Sequence, residues 1–258
     1  MNNNPEQLNK VPKPIYHMGI KTSDVFRGKS ELGPVREIYG ESAKFFSEII
    51  RSKFVADKRR SLLDIGSAKG ELLSEMLGYL PEYEFDVTAT DTNPYAIDEN
   101  PAKNKIVADA ESLPIDDNTI DITLMRYVLQ FNSLNSQENI LKEVQRVTKE
   151  IAIVQHGGAD SVDSDSWRSC VDQIFHSSEL LPLNRDGILY SSQNEVESMM
   201  DKNNIRYERI QSRRIEGLSQ AFIERYSLNE GQIKLIKNML GDKDYIMQTT
   251  WIIYPENH

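Results

Sequence analysis

The chain has 258 residues, 39% of them hydrophobic and 27% charged, enough to enclose a core as one large domain or two small ones. A net charge of −10 disfavours the broad basic face of a nucleic-acid binder, so no nucleic-acid partner is expected. Cys170 is the only cysteine, which rules out an internal disulfide and a cysteine-based zinc site; no metal is expected.

The first residues are polar and lack a basic region followed by an apolar run, so no secretory signal is read. No apolar stretch approaches the length of a bilayer span. A soluble, cytoplasmic protein with no membrane partner is the expectation. Residues 1–33 read as an N-terminal arm or flap carrying Tyr16 and His17, and residues 34–258 as the main domain. Pro34 opens a helix, a position proline tolerates. Phe45, Phe46, Ile49, Ile50 and Phe54 give it an apolar face.

Ser61 to Gly70 reads as a short buried strand running into a small-residue turn, and Leu72, Leu73, Met76, Leu77 and Leu80 then follow at helical spacing. Glycines let a ligand approach the backbone, and a helix N-terminus offers amides to an anion. Phe85–Thr90 reads as a second strand, Tyr95–Glu99 as a short helix, Lys105–Ala108 as a third strand and Ile120–Met125 as a fourth. Asn135 with Glu138 resembles a capping box for the next helix. Ile151–Gln155 is a fifth strand. Strands separated by helical patterns predict an α/β fold with a mainly parallel sheet.

The second half changes character. Residues 157–166 read as a loop rich in Gly, Asp and Ser, 192–203 as a helix, Ile205–Gln211 and Ile246–Ile253 as strands. Segments 157–190 and 217–240 lie outside the sheet pattern and are read as a lid over a substrate pocket, with Trp167 among its aromatics. Arg206, Arg209, Arg213 and Arg214 are read as a solvated strand face.

The turn does not suit a dinucleotide. Counted from Gly66, the second glycine slot is Ala68 and the third is Glu71, a bulky acid where helix and strand should pack closely. No P-loop pattern occurs. What remains resembles the class I S-adenosylmethionine-dependent methyltransferases, in the branch (type 11-like) that acts on small metabolites. The resemblance rests on Asp64-x-Gly66-x-Ala68-x-Gly70, on Asp91 in Thr90-Asp91-Thr92-Asn93-Pro94, on Asp109-Ala110-Glu111-Ser112-Leu113-Pro114, and on Leu141 to Val147 before the fifth strand. It covers about residues 60–156.

The resemblance implies a doubly wound, Rossmann-like seven-stranded sheet with helical lid insertions and S-adenosyl-L-methionine as cofactor. It implies cofactor contacts from Asp64, Gly66, Ser67, Ala68, Gly70, Asp91, Thr92, Asp109, Ala110, Arg126 and Tyr127. Amides around Gly66 and Gly70 would meet the amino-acid end, Asp91 the ribose hydroxyls, and Asp109 with Ala110 the adenine. The family's glycine pair before strand five is replaced by Lys149-Glu150, which alters a surface turn.

Methyl transfer needs alignment more than a triad. His156, directly after the fifth strand, is the candidate general base, because its ordinary pKa suits proton transfer near neutrality. Tyr16, His17 and Trp167 are the candidate substrate contacts. The reading is methyl transfer to an O or N atom of a small molecule. The alternatives are an RNA or protein methyltransferase, or a non-catalytic cofactor-binding protein. Met125-Arg126-Tyr127-Val128 stands where nucleic-acid amino methylators often carry an Asn/Asp-Pro-Pro-Tyr run. The sequence leaves the methyl acceptor and the oligomeric state open.

Overall fold

The computed structural model describes residues 33–158, 191–216, 229–240 and 245–256. Helix α1 (Gly33–Lys53) leads into β1 (Arg60–Ile65), α2 (Glu71–Gly78), β2 (Phe85–Asp91), α3 (Pro94–Asp98), β3 (Asn104–Val107) and β4 (Ile120–Arg126). A 3-10 turn, Leu129–Phe131, precedes α4 (Leu134–Val147) and β5 (Thr148–Gly158). Then come α5 (Gln193–Lys202), β6 (Tyr207–Glu216), α6 (Glu230–Leu240) and β7 (Tyr245–Ile253).

The seven strands form one sheet in the order β3-β2-β1-β4-β5-β7-β6. The first five run parallel, and β7 lies antiparallel to both β5 and β6. The doubly wound, mainly parallel seven-stranded sheet is therefore as expected. The chain winds outward from β1 through β2 to β3, then restarts beside β1 with β4. The carboxyl ends of β1 and β4 thus flank the point where winding reverses, where open α/β sheets take their ligands.

Because both faces of β1 are covered, its apolar run need not alternate. Leu62 joins Phe46, Ile50, Leu73, Met76 and Leu124 in the core under α1 and α2. Its neighbour Leu63 joins Ile140, Leu141, Val144, Val154 and Trp251 under α4 and α5. Trp251 is fully buried, and its indole nitrogen donates to Glu197 Oε1 at 2.8 Å. Glu197 also takes two hydrogen bonds from Arg209, at 2.8 and 2.7 Å, so this buried carboxylate is charge-paired.

Several local expectations shift. The cap of α4 is Ser133, which accepts from the Ser136 amide, and Glu138 instead meets Lys142 and Lys202 on the surface. Lys149 and Glu150 lie inside β5 rather than in a turn, because Thr148 already pairs with Ile120 of β4. Gly157 and Gly158 also belong to β5, paired with Gln248 and Met247, so the loop begins later than its composition suggests. Strand β6 runs on to Glu216 because β7 supplies backbone partners whatever the side-chain polarity. The arm over 1–32, and the lid segments over 159–190 and 217–228, lie outside the described residues. Within the second lid segment, 230–240 is the helix α6.

Replacing Trp251 by alanine removes the largest fully buried side chain among the described residues and strips Glu197 of a donor. Urea unfolding of Trp251→Ala is expected to show a loss of about 3–5 kcal/mol against wild type.

Candidate functional site

After Ile65 the chain turns sharply through Gly66 (φ 66°), Ala68 (φ 46°) and Gly70 (φ 80°), three left-handed residues within five positions. At Gly66 a side chain is excluded twice: the φ is unfavourable, and an added Cβ would lie 2.4 Å from Val128 Cγ2. At Gly70 an added Cβ would meet Asn100 and Pro101 at 2.8 Å.

The turn is stitched to the end of β2. The Ser67 amide donates to Thr90 O at 2.9 Å and the Ala68 amide to Asp91 Oδ2 at 2.9 Å. Buried Asn100 donates from Nδ2 to Ser67 Oγ and to Ala68 O. The Gly70 amide donates to Ser67 O. The amides of Ser67, Ala68 and Gly70 are therefore engaged inside the protein. The expectation that amides at this turn wait for a ligand is corrected to that extent: they shape the turn, and Gly66 presents a bare, exposed backbone.

Asp91 and Thr92 follow on the adjacent strand end. Asp91 Oδ1 accepts from the Asn93 amide at 2.8 Å, and Asn93 in turn caps α3. Burial pushes the Asp91 carboxyl up, and hydrogen bonds from the Asn93, Ala68 and Thr92 amides pull against it. Asp109 and Ala110 follow β3 on the same edge. Asp109 is exposed, and its Oδ1 accepts from the Glu111 amide at 2.9 Å. That segment is held from behind, because Arg146 donates to Leu113 O and Ile115 O while Glu143 accepts from the Leu113 amide.

Asp64 is buried beneath the turn. Burial, then repulsion from Asp91, raise its carboxyl to about 7, against the pull of Arg126. Arg126 closes β4 and is itself buried. Its Nε donates to Gln155 Oε1 at 3.2 Å, and its guanidinium sits 4.1 Å from the centroid of the Tyr127 ring. The structure thus brings Asp64, Gly66, Ser67, Ala68, Gly70, Asp91, Thr92, Asp109, Ala110, Arg126 and Tyr127 to one edge of the sheet. Tyr16, His17 and Trp167 lie outside the described residues.

His156 does not hold the place expected of a base. Alternation along β5 sends Gln155 toward α1 and His156 to the opposite face. There its Nε2 lies 2.8 Å from Ser191 O, so Nε2 carries the proton, and Nδ1 is buried with no partner among the described residues. Burial lowers its pKa to about 4. An imidazole this reluctant to take a proton holds Ser191 against the end of β5; Gly158 must be glycine there, since a Cβ would stand 2.2 Å from Ser191 O. Ser42, Gln155 and Gln248, which sequence reasoning missed, converge on Arg126 and Tyr127 instead. The four arginines of the second half are not a free basic face. Arg209 is paired with Glu197, Arg213 with Glu41, and Arg206 lies over the Tyr254 ring.

Residues 63–154 match the family model described as "Methyltransferase domain". The match runs from β1 to β5, the parallel part of the sheet. The fold is shared with solved structures of low sequence identity. YcgJ from Bacillus subtilis is 17% identical at a TM-score of 0.64, covering 84% of this chain and 99% of its own. Geranyl diphosphate C-methyltransferase from Streptomyces coelicolor, in complex with Mg2+, geranyl diphosphate and S-adenosyl-L-homocysteine, is 12% identical at 0.55, covering 88% of each chain. The plantazolicin methyltransferase BpumL, in complex with SAH, is 16% identical at 0.54, covering 91% of this chain and 89% of its own. No curated protein matches. Among the described residues, no helix is long and apolar enough to cross a membrane.

Asp64 and His156 give opposite pH slopes. Asp64 folds with a pKa of about 7, above its ordinary 3.8, so the folded state holds an extra proton across that window and stability falls as pH rises through it. His156 folds with a pKa of about 4, below its ordinary 6.5, so the unfolded state holds the extra proton and stability rises from about pH 4 to 6.5. In urea unfolding of the ligand-free protein, Asp64→Asn is expected to gain stability relative to wild type as pH climbs from 4 to 7. A constant difference across that range rejects the assignment.

Proposed function

We propose that the protein transfers a methyl group from S-adenosyl-L-methionine to an O or N atom of a small molecule, by in-line displacement. The observation that carries the reading is the left-handed turn at Gly66–Gly70. It stands beside Asp91 and Asp109 on the carboxyl edge of β1, β2 and β3.

The cofactor roles follow from chemistry. Asp91 takes backbone amides from Asn93, Ala68 and Thr92 and keeps acceptor capacity for a ribose hydroxyl. Asp109, exposed and with Oδ1 on the Glu111 amide, accepts from the adenine amino group, and the Ala110 amide donates to a ring nitrogen. Gly66 lets the amino-acid end lie against the backbone. Asp64 below it favours the ammonium and sulfonium charges, and their arrival stabilises its ionised form. Arg126 and Tyr127 border the sulfonium end. The cofactor supplies an already activated methyl carbon, so the protein's task is to align the nucleophile and exclude water.

His156 has no part in this proposal as a base, given its burial and its bond to Ser191. Tyr16, His17 and Trp167 remain proposed contacts to the acceptor. The acidic balance of the chain and the ion-paired arginines favour a small acceptor over an RNA or a protein. They do not select among small acceptors.

Calorimetry with S-adenosylhomocysteine tests the reading. One site per chain is expected for wild type. Asp91→Ala, which loses charge-assisted hydrogen bonds and the Ala68 clamp together, is expected to weaken binding by at least about tenfold. Absence of binding, or equal affinity in the variant, would sink it.

A further inference from the structure

The strand tip that carries Arg126 and Tyr127 is held by a set of side chains far away in sequence. Gln155 Oε1 accepts from Ser42 Oγ at 2.7 Å, from Arg126 Nε at 3.2 Å and from Gln248 Nε2 at 3.3 Å. Its own Nε2 donates to Thr250 Oγ1 at 3.1 Å. Gln248 Nε2 also donates to the Tyr127 hydroxyl, and Gln248 Oε1 accepts from Arg213 Nε at 2.7 Å. Arg213 in turn is paired with Glu41 of α1 at 2.8 Å. Ser42, Gln155, Gln248 and Thr250 are all buried.

Tyr127 needs such support. It stands at φ 55°, a left-handed conformation that a bulky residue adopts only when its surroundings impose it. Its amide donates to Gln155 O at 2.8 Å, its ring carries the Arg126 guanidinium, and its hydroxyl meets Gln248. The next residue, Val128, lies against Gly66 of the cofactor turn. A shift of Tyr127 therefore moves the wall of the cofactor turn as well.

We propose that Gln248, acting with Gln155, is a positioning residue for the cofactor site: it holds Tyr127 and Arg126 in the arrangement that receives the sulfonium end of the cofactor. The proposal rests on the S-adenosylmethionine reading above. It assigns to the antiparallel half of the sheet a part in cofactor affinity, although none of its residues lies at the turn. The device is polar, and its buried members, Ser42, Gln155, Gln248 and Thr250, orient one another through these hydrogen bonds.

The test is a double-mutant cycle read by S-adenosylhomocysteine calorimetry on the full chain. Gln248→Met, close in volume, is expected to weaken binding roughly fivefold, as is Tyr127→Phe. The double variant is expected to lose no more than either single one, because both act through the same hydroxyl contact. A purely structural role predicts a lowered melting temperature with unchanged affinity, and that result overturns the proposal; so do losses that add in the double variant. Should Gln248→Met fail to fold, Tyr127→Phe breaks the same hydrogen bond from the other end, and unchanged affinity there overturns it equally. Wild-type protein that binds no S-adenosylhomocysteine removes the cofactor reading itself, and the positioning role with it.

Discussion

The ligand edge of this sheet depends on how the chain leaves β1. A buried strand must reverse within five residues, and its amides cannot be left dry without cost. The end of β2 answers that demand: Thr90 O takes the Ser67 amide and the Asp91 carboxylate takes the Ala68 amide. Asn100 closes the arrangement from the far side. Asp91 is therefore an internal acceptor first, whatever ligand this edge receives. Its oxygens point two ways because the turn uses one and the start of α3 the other. The left-handed φ values are the geometric consequence, and they expose Gly66 at the point where the winding of the sheet reverses.

Acidic side chains crowd this edge. Asp64, Asp91 and Glu71 gather there, and Asp64 is pushed up to about 7 because water is gone and Asp91 is near. Arg126 opposes that shift, and its guanidinium also meets Gln155 and the face of the Tyr127 ring. A cationic ligand relieves the repulsion between the carboxylates, so its binding is coupled to the ionisation of Asp64. A dinucleotide pyrophosphate would bring negative charge to the same place and raise the repulsion. The acid at position 71, which argued against a dinucleotide on packing grounds, argues the same way on charge.

Much of this was legible in the sequence because it is local. The strand, turn and helix at 60–78, and the acids at the ends of β2 and β3, each lie within a few residues of the pattern that reveals them. The turn after β1 shows in residues 64–70 because left-handed conformations demand small residues there. What stayed hidden is set by pairing between distant segments. Ser42, Gln155 and Gln248 meet across separations of 113 and 93 residues, and none sits in a telling local pattern. The extent of β5 and β6 depends on β7, not on their own polarity. The Ser133 cap was missed because two candidate caps lie two positions apart and only the backbone decides between them.

His156 shows where local reading fails in principle. Adjacent residues at the end of β5 leave the sheet on opposite faces, and the sequence does not say which face the ligand shares. Gln155 faces α1 and the Arg126 side chain; His156 faces Ser191 and the buried layer of α4. The titratable residue was the attractive candidate by chemistry, yet desolvation strips it of the proton affinity that made it attractive. The neutral amide beside it has no acid–base chemistry to offer, and for that reason it can accept three hydrogen bonds at any pH and hold its neighbours still. In a reaction whose electrophile arrives already activated, fixed geometry contributes more than a base does. The residues that supply it are then the paired, uncharged ones that motif reading passes over.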